Sequence, residues 1–299
     1  MRIAMTGCSG FIGSVAAAHL AQAGHQVTGL MRSSSRRDHV APYLDRCIEG
    51  SMSDRDAFEP LLDGADVLVH GAVDWRTLRD GDFADHLDAN LVAGIELLNA
   101  AAERGQRVVL LSSVAVHHAM SDRWNGQVDD EHPLRPGTMY GALKASLEDH
   151  LWALHASKGT SFVSLRPSAV YGIDPSLDRS IGAPILKSIA QGTPYTRTGG
   201  GKFVHVDDVA ASIVAALDRP AGQPGIYHLA DCYARWAEWA SMACDILGTS
   251  VDIDDSSPTA PKNMFTHDAL EAELGIKLER GHDGIRTHLQ QLQQRIAAQ

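Results

Sequence analysis

Two side chains able to exchange a proton with a substrate stand four residues apart in Tyr140-Gly141-Ala142-Leu143-Lys144. They head a segment, Met139 to Ser157, whose apolar residues recur at helical spacing. Positions four apart on a helix share one face, so phenol and ammonium are presented to the same spot. A free phenol titrates near ~10, too high for acid-base work at neutral pH, and bringing it to ~7 takes roughly three units, or about 4 kcal/mol. A positive charge about 4 Å away supplies on the order of 4 kcal/mol in a partly shielded site. Tyr140 is therefore a candidate acid-base and Lys144 its charge partner. Such pairs are common in long chains, so the assignment depends on what the surrounding elements place beside them.

The first of those elements is at the start of the chain. Arg2 to Met5 reads as a short buried strand, followed by Thr6-Gly7-Cys8-Ser9-Gly10-Phe11-Ile12-Gly13 and a helix over Ser14 to Ala23. Glycines at 7, 10 and 13 between strand and helix allow a tight turn and a close approach of backbone N–H groups to a pyrophosphate. The helix N-terminus then carries the anion's charge, and the last glycine lets helix and strand pack closely. The second strand, Gln26 to Met31, ends in Arg32-Ser33-Ser34-Ser35-Arg36-Arg37. The acidic residue that grips the ribose in NAD sites is missing there, while guanidinium and hydroxyl groups suit a 2′-phosphate. NADP(H) is the expected cofactor, with Arg32 foremost and Ser33 or Arg36 assisting; NAD(H) remains open.

Asp66 to His70 is a third buried run, ending in Gly71-Ala72, a small-residue turn that leaves room for the cofactor. His70 reads as a packed core histidine. Phe83 to Arg104 reads as one long amphipathic helix containing Asn90 and Gly94, the glycine implying close packing. Arg107 to Leu111 leads into Ser112-Ser113, so the Ser113 hydroxyl sits at a strand's carboxyl end, facing the same crevice as the glycine turn. Residues 117–135 form a polar loop at the rim. Strand Ser161 to Leu165 follows and runs into Arg166-Pro167-Ser168-Ala169-Val170-Tyr171-Gly172. Strands alternating with helices over these residues imply an α/β, Rossmann-type, doubly wound parallel sheet.

Beyond Gly172 the chain is richer in Gly, Pro and Ser. A helix is expected over Ile181 to Gln191, a strand and an Asp-capped helix from Phe203 to Leu217, a strand over Gly225 to Ala230, and helices over Ala234 to Leu247 and His282 to Ala298. Asp207 and Asp208 resemble a catalytic carboxylate pair, but capping accounts for them better. The expected organisation is a dinucleotide-binding domain over 1–172, with 203–220 returning to it. A smaller substrate-binding portion would be formed by 173–202 and 221–281, and a terminal helix by 282–299.

Totals exclude several other functions. The 299 residues carry a formal net charge of -11, which argues against a nucleic-acid surface. The 4 cysteines, at 8, 47, 232 and 244, have no metal-ligand spacing and no disulfide framework is implied; no metal is expected. No apolar run approaches the ~18 residues of a membrane span, and no secretory leader is evident, so the expected setting is reducing and cytoplasmic.

Taken together, these motifs resemble an extended short-chain dehydrogenase/reductase of the NAD(P)-dependent epimerase/dehydratase superfamily. Thr6-Gly7-x-x-Gly10-Phe11-Ile12-Gly13 is similar to its cofactor loop and Asp66 to Ala72 to its fourth-strand signature. Asn90 to Gly94, with Leu97-Leu98, is similar to the helix that follows, and Ser112-Ser113 to its serine strand. Tyr140 to Lys144 resembles Y-x-x-x-K, Leu165 to Gly172 resembles L-R-P-x-x-V-Y-G, and Phe203 to Val209 resembles F-V-H-V-D-D-V. The resemblance implies that Tyr140 transfers the proton, Lys144 tunes it and binds the nicotinamide ribose, and Ser113 orients the substrate oxygen. It adds Thr6, Phe11, Ile12, Gly71, Ala72 and Pro167 to the glycines as cofactor contacts, and His117, Asn90 and Ser168 as substrate contacts. It also implies a homodimer formed through the helices at 83–104 and 139–157.

Departures from the family pattern narrow the expectation. Sugar-nucleotide dehydratases carry an acidic pair where this chain has Val114-Ala115, and their arginine-rich diphosphate grip is replaced by Thr198-Gly199-Gly200-Gly201-Lys202. Val116-His117-His118 stands where many sugar-nucleotide enzymes have V-Y-G. The arginine-terminated second strand is closest to the dihydroflavonol-reductase-like branch. The expectation is an NADPH-dependent reductase, or the reverse dehydrogenase, of a small carbonyl or alcohol substrate. The alternative is a nucleotide-sugar epimerase or reductase on the same scaffold.

Overall fold

Short β-branched and leucine-rich runs become the strands of one sheet, and the amphipathic segments between them become its two covering layers. The computed structural model describes residues 1–120 and 122–298. The first half contains β1 (Arg2–Thr6), α1 (Phe11–Gln22), β2 (Gln26–Met31), β3 (Arg46–Glu49), α2 (Phe58–Leu62) and β4 (Val67–His70). It continues with α3 (Trp75–Asp80), α4 (Phe83–His86), α5 (Ala93–Glu103), β5 (Arg107–Leu111), β6 (Gln127–Val128) and α6 (Met139–Lys158). Then come β7 (Phe162–Pro167), β8 (Ala169–Tyr171), α7 (Ala183–Ala190), β9 (Gly200–His205) and α8 (Val206–Ala216). The chain ends with β10 (Gly225–Leu229), β11 (Cys232–Arg235), α9 (Trp236–Leu247), β12 (Met264–Phe265), α10 (Asp268–Leu274) and α11 (Gly281–Ala297).

Seven strands form a parallel sheet in the order β10-β7-β5-β4-β1-β2-β3. Alternation sends Ile3, Met5, Val67 and Val69 to one face, where α1 and α8 supply Ala16, Leu20, Val209 and Ile213. Ala4, Leu68, Val108 and Leu110 face the other side, against Leu61 of α2, Leu97 of α5 and Leu147 of α6. Both faces are covered, as a parallel sheet requires, and all strands open their carboxyl ends on one edge. This is the Rossmann-type α/β fold expected from the sequence. A smaller C-terminal portion contains the sheet β11-β9-β8 and a separate core in which α7, α9 and α11 enclose Trp239, Tyr171 and Phe203.

Several boundaries differ from expectation. β3 has no apolar run; it is an exposed edge strand held by its register with β2. The expected single helix over 83–104 is α4 and α5 joined by a widened turn, Leu87–Val92, with i→i+5 geometry. The stretch 221–281 does not lie wholly in the smaller portion: β10 is the seventh strand of the main sheet, and Leu270 and Leu278 join its core. The first turn of α8 is capped by His205, whose ring accepts from the Asp207 amide, so the aspartates are not the cap. Asp208 instead pairs with Arg280 at 2.8 Å, while Asp207 stands between His19 and His205.

Candidate active site

The carboxyl ends of β1, β4, β5 and β7 converge on one crevice, and the glycine turn lies at its floor. Gly7 adopts φ +77°, a left-handed conformation that glycine tolerates, and a Cβ there would meet the Ala72 amide nitrogen at 2.9 Å. A Cβ on Gly13 would sit 2.0 Å from the Gly7 carbonyl oxygen, so any larger residue would pry helix from turn. No side chain caps α1, and its first turn contains no acidic residue. The leading N–H groups at Phe11, Ile12 and Gly13 therefore keep their donor capacity and a positive field for an anion. This uncapped, glycine-floored helix start fits a dinucleotide pyrophosphate.

Thr6 is buried, and its hydroxyl oxygen lies 2.8 Å from His70 Nδ1 and 3.3 Å from the Gly71 and Ala72 amides. Thr6 thus ties the ends of β1 and β4 together, and His70 is the packed histidine expected, pushed down to about 3 by burial and then by Lys144. At the end of β2, Arg32 and Ser33 are exposed, and among the described residues no partner engages the Arg32 guanidinium. Arg36 reaches away, to the Pro175 carbonyl and the Ser176 hydroxyl at 3.4 Å each. Register also brings a carboxylate that linear reading does not reveal: Glu49 lies opposite Met31, but Arg37 holds it at 2.6 Å.

Ser113, Tyr140 and Lys144 are brought together by the seating of α6. Thr138 caps the helix through the Gly141 amide at 3.0 Å. A Cβ on Gly141 would lie 2.2 Å from the Ala115 carbonyl oxygen, so only glycine lets the helix settle onto the turn after Ser113. Ser113 starts that turn by accepting from the Ala115 amide at 3.1 Å, and its hydroxyl also reaches the Tyr140 phenol. Lys144 is buried, with Nζ donating to the Leu111 carbonyl at 2.8 Å and lying 6.0 Å from the Tyr140 ring centroid. Burial pulls Lys144 down to about 8, against the support of Glu148.

The electrostatics correct one expectation. Burial pushes the Tyr140 phenol above its ordinary value, and the opposing contact comes from Ser113. The phenol is held protonated, so the pair is arranged as a proton donor with a cation one turn behind it. A residue that sequence reasoning passed over covers it: Trp75, 45% exposed, stacks on Tyr140 with centroids 4.8 Å apart. The sole sequence signal was an aromatic residue in the loop directly after Gly71-Ala72.

The expected substrate residues fare differently. The Asn90 amide is consumed internally, accepting from the Asp74 N–H at 2.6 Å and donating to the Asp74 carbonyl, the Thr77 hydroxyl and His86. It anchors the start of α3, and so Trp75, instead of facing the crevice. His117 is also buried, 3.0 Å from both His228 and the Arg166 guanidinium, so it belongs to a charged core and not to the pocket wall. Burial, then Arg166, holds it down to about 4. Arg166 meets Glu148 at 2.6 Å, and Glu148 also accepts from Ser164 at 2.8 Å. Pro167 ends β7 at the crevice edge, and beside it Ser168 has a buried hydroxyl without a partner among the described residues. His118 is exposed.

These features match a family found by comparison. The model of the NAD dependent epimerase/dehydratase family matches residues 3–230, and the chain belongs to that family, whose members are NAD(P)-dependent enzymes of extended short-chain dehydrogenase/reductase type. Among its relatives is a 3-diazoavenalumate denitrifying reductase from a Streptomyces species, 30% identical and aligned over 83% of this chain and 82% of that one. A UDP-glucose 4-epimerase from Corynebacterium glutamicum is 28% identical over 77% of this chain and 75% of its own. The fold is similar to that of the Thermus thermophilus UDP-glucose 4-epimerase solved with NAD, with a TM-score of 0.79 over 98% of this chain and 99% of that one at 23% identity. No helix among the described residues is long and apolar enough to cross a membrane.

The Arg166–Glu148 pair gives a direct test of the site's foundation, because removing one partner strands a buried charge. Glu148→Ala is expected to cost about 3–5 kcal/mol of unfolding free energy, measured by denaturant titration. A loss below about 1 kcal/mol would show that the pair does not support the helix behind the site.

Proposed function

We propose that this protein is an NADPH-dependent carbonyl reductase, or in reverse an alcohol dehydrogenase, acting on a small organic substrate with Tyr140 as acid-base. The observation that carries this reading is the meeting of the Ser113 hydroxyl and the Tyr140 phenol at the sheet's carboxyl edge, with Lys144 fixed one helical turn behind. Val114-Ala115, where an acidic pair would serve an elimination, leaves only groups suited to exchanging a proton at a carbonyl oxygen.

When bound, the nicotinamide supplies or accepts the hydride. Gly7, Gly10 and Gly13 receive the pyrophosphate on the start of α1, with Phe11 and Ile12 donating amides, and Gly71, Ala72 and Pro167 border the nicotinamide half. Ser113 donates to the substrate oxygen and holds it beside Tyr140. Tyr140, protonated at neutral pH, gives its phenolic proton to that oxygen as the carbinol forms. Lys144 contacts the nicotinamide ribose, and its charge, supported by Glu148, steadies the phenolate until solvent returns the proton. Trp75 shields the phenol face and keeps its surroundings dry.

Arg32, exposed and without a partner among the described residues, takes the 2′-phosphate with Ser33 beside it, and Arg37 pairs with Glu49, the carboxylate opposite Met31. This supports NADPH over NADH. Arg36 is tied to the 175–176 loop and contributes charge more than contact. The reading further includes a cytoplasmic homodimer formed through α4–α5 and α6, whose Phe83, Val92 and Trp152 are exposed apolar side chains. The epimerase alternative differs in outcome, since it would return the cofactor unchanged.

Two substitutions test the assignments. Tyr140→Phe is expected to lower turnover at least about a hundredfold while leaving cofactor affinity nearly intact; near-normal turnover of a reduced carbonyl would remove Tyr140 from the mechanism. Arg32→Ala is expected to weaken NADPH about tenfold or more, with little change for NADH. Equal losses for both cofactors, measured by fluorescence titration, would take Arg32 out of the 2′-phosphate site.

A further inference from the structure

Lys202 stands half-buried on β9 with no carboxylate and no hydrogen-bond acceptor beside it among the described residues. It faces a ring instead, with Nζ 5.5 Å from the Phe265 centroid. Phe265 is 4% exposed and forms an apolar cluster with Val128 and Ala230, against which Val114, Met120 and Met264 pack. Val114 directly follows Ser113, so the cluster links the turn after Ser113 to the lysine, with the partly exposed Val114 and Met264 at its edge.

A desolvated ammonium facing hydrocarbon is an unfavourable arrangement that a cation–π contact offsets only in part. Burial pulls Lys202 below its ordinary value, and no other charge contributes. A polar group lies close by in the fold. β8 pairs with β9 from Ala169↔Phe203 onward, and the residue before Ala169 is Ser168, whose buried hydroxyl also lacks a partner. Three arginines of the smaller portion and its border are otherwise engaged: Arg197 stacks on Trp236, Arg235 pairs with Asp255 and Glu238, and Arg280 pairs with Asp208.

We propose that Lys202, assisted by the Ser168 hydroxyl, is the recognition point for a single carboxylate carried by the substrate, separated from the reacting carbonyl by an apolar body lying along Val114, Met264 and Phe265. The proposal rests on the carbonyl-reductase reading and deepens it to a class: a keto or aldehyde acid with a flat or aliphatic spacer. One unshared ammonium and one hydroxyl match one carboxylate, whereas a nucleotide diphosphate would present more charge than this wall can pair. Lys202 binds and positions; the proton transfer remains with Tyr140.

The test compares 4-acetylbenzoate with 4-methylacetophenone, which replaces the carboxylate with a methyl group, and with 4-acetylphenyl phosphate. The full-length wild-type chain, Lys202→Met and Lys202→Arg are each assayed with NADPH. Calorimetric titration of 4-acetylbenzoate into the NADP+-saturated proteins runs alongside. The wild-type protein is expected to favour the carboxylate over the methyl ketone by about tenfold or more in kcat/KM. Lys202→Met should erase that ratio, chiefly through KM, and Lys202→Arg should restore most of it. Reduction of both ketones with a ratio that Lys202→Met leaves unchanged overturns the proposal while the reductase reading stands. A stronger preference for the phosphate also overturns it. Lys202-dependent binding of 4-acetylbenzoate without reduction of any ketone supports the anion site and counts against the reductase reading. Absence of both binding and reduction of 4-acetylbenzoate overturns the site.

Discussion

The close approach of α6 to the turn after β5 is the constraint on which the site depends. Without a side chain at Gly141, the helix backbone comes within reach of the Ala115 carbonyl, and that single approach fixes three groups together. Ser113 opens the turn, Tyr140 precedes the glycine, and Lys144 reaches back to the last carbonyl of β5. The same device recurs one layer further out. A Cβ on Gly94 would lie 2.9 Å from Leu147, so α5 clasps α6 as closely as α6 clasps the sheet. The shared face of Tyr140 and Lys144 is therefore a consequence of helix geometry, while its placement is a consequence of two glycines.

Behind this contact lies an unusual amount of buried charge. Lys144, Glu148 and Arg166 occupy successive positions from the crevice inward, each at most 2% exposed. Glu148 has two functions here, partnering Arg166 directly and supporting the charge on Lys144. His117 and His228 close the far side of the network and are kept neutral by burial and by Arg166. For histidines held below their unfolded value near 6.5, stability is retained above that pH and lost as pH falls toward the folded value, about 4 for His117. The network thus keeps its stability at neutral pH, where burial holds Tyr140 as a protonated phenol and pulls Lys144 down to about 8.

Much of this was legible in the sequence because it is carried by local patterns. Glycines at 7, 10 and 13 announce the turn, short apolar runs announce β1, β4, β5 and β7, and the four-residue spacing of Tyr140 and Lys144 announces that they share one face of α6. What stayed hidden depends on contacts between distant segments. β3 has too few apolar residues to be read as a strand and exists through its pairing with β2. Asn90 and His117 are polar residues in plausible pocket segments, but tertiary packing turns both inward to serve buried hydrogen-bond networks. Trp75 could not be placed from its neighbours, since its position over Tyr140 is set by Asp74, Thr77 and Asn90, which fix the start of α3. The phenol's upward shift was likewise hidden: one-turn spacing indicates a cation nearby but does not reveal how deeply the ring is covered.

If Ser113, Tyr140 and Lys144 present a carbonyl to a nicotinamide cofactor for net reduction, the cofactor's hydride must arrive on the carbonyl carbon. Incubating the protein with 4-deuterated NADPH of each stereochemistry and a carbonyl panel, followed by mass spectrometry of the products, measures that directly. The expected result is one deuterium on the carbinol carbon, from one face of the cofactor only, with stoichiometric formation of NADP+. Failure to transfer deuterium to any carbonyl, or interconversion of a nucleotide sugar with the cofactor returned unchanged, would contradict it.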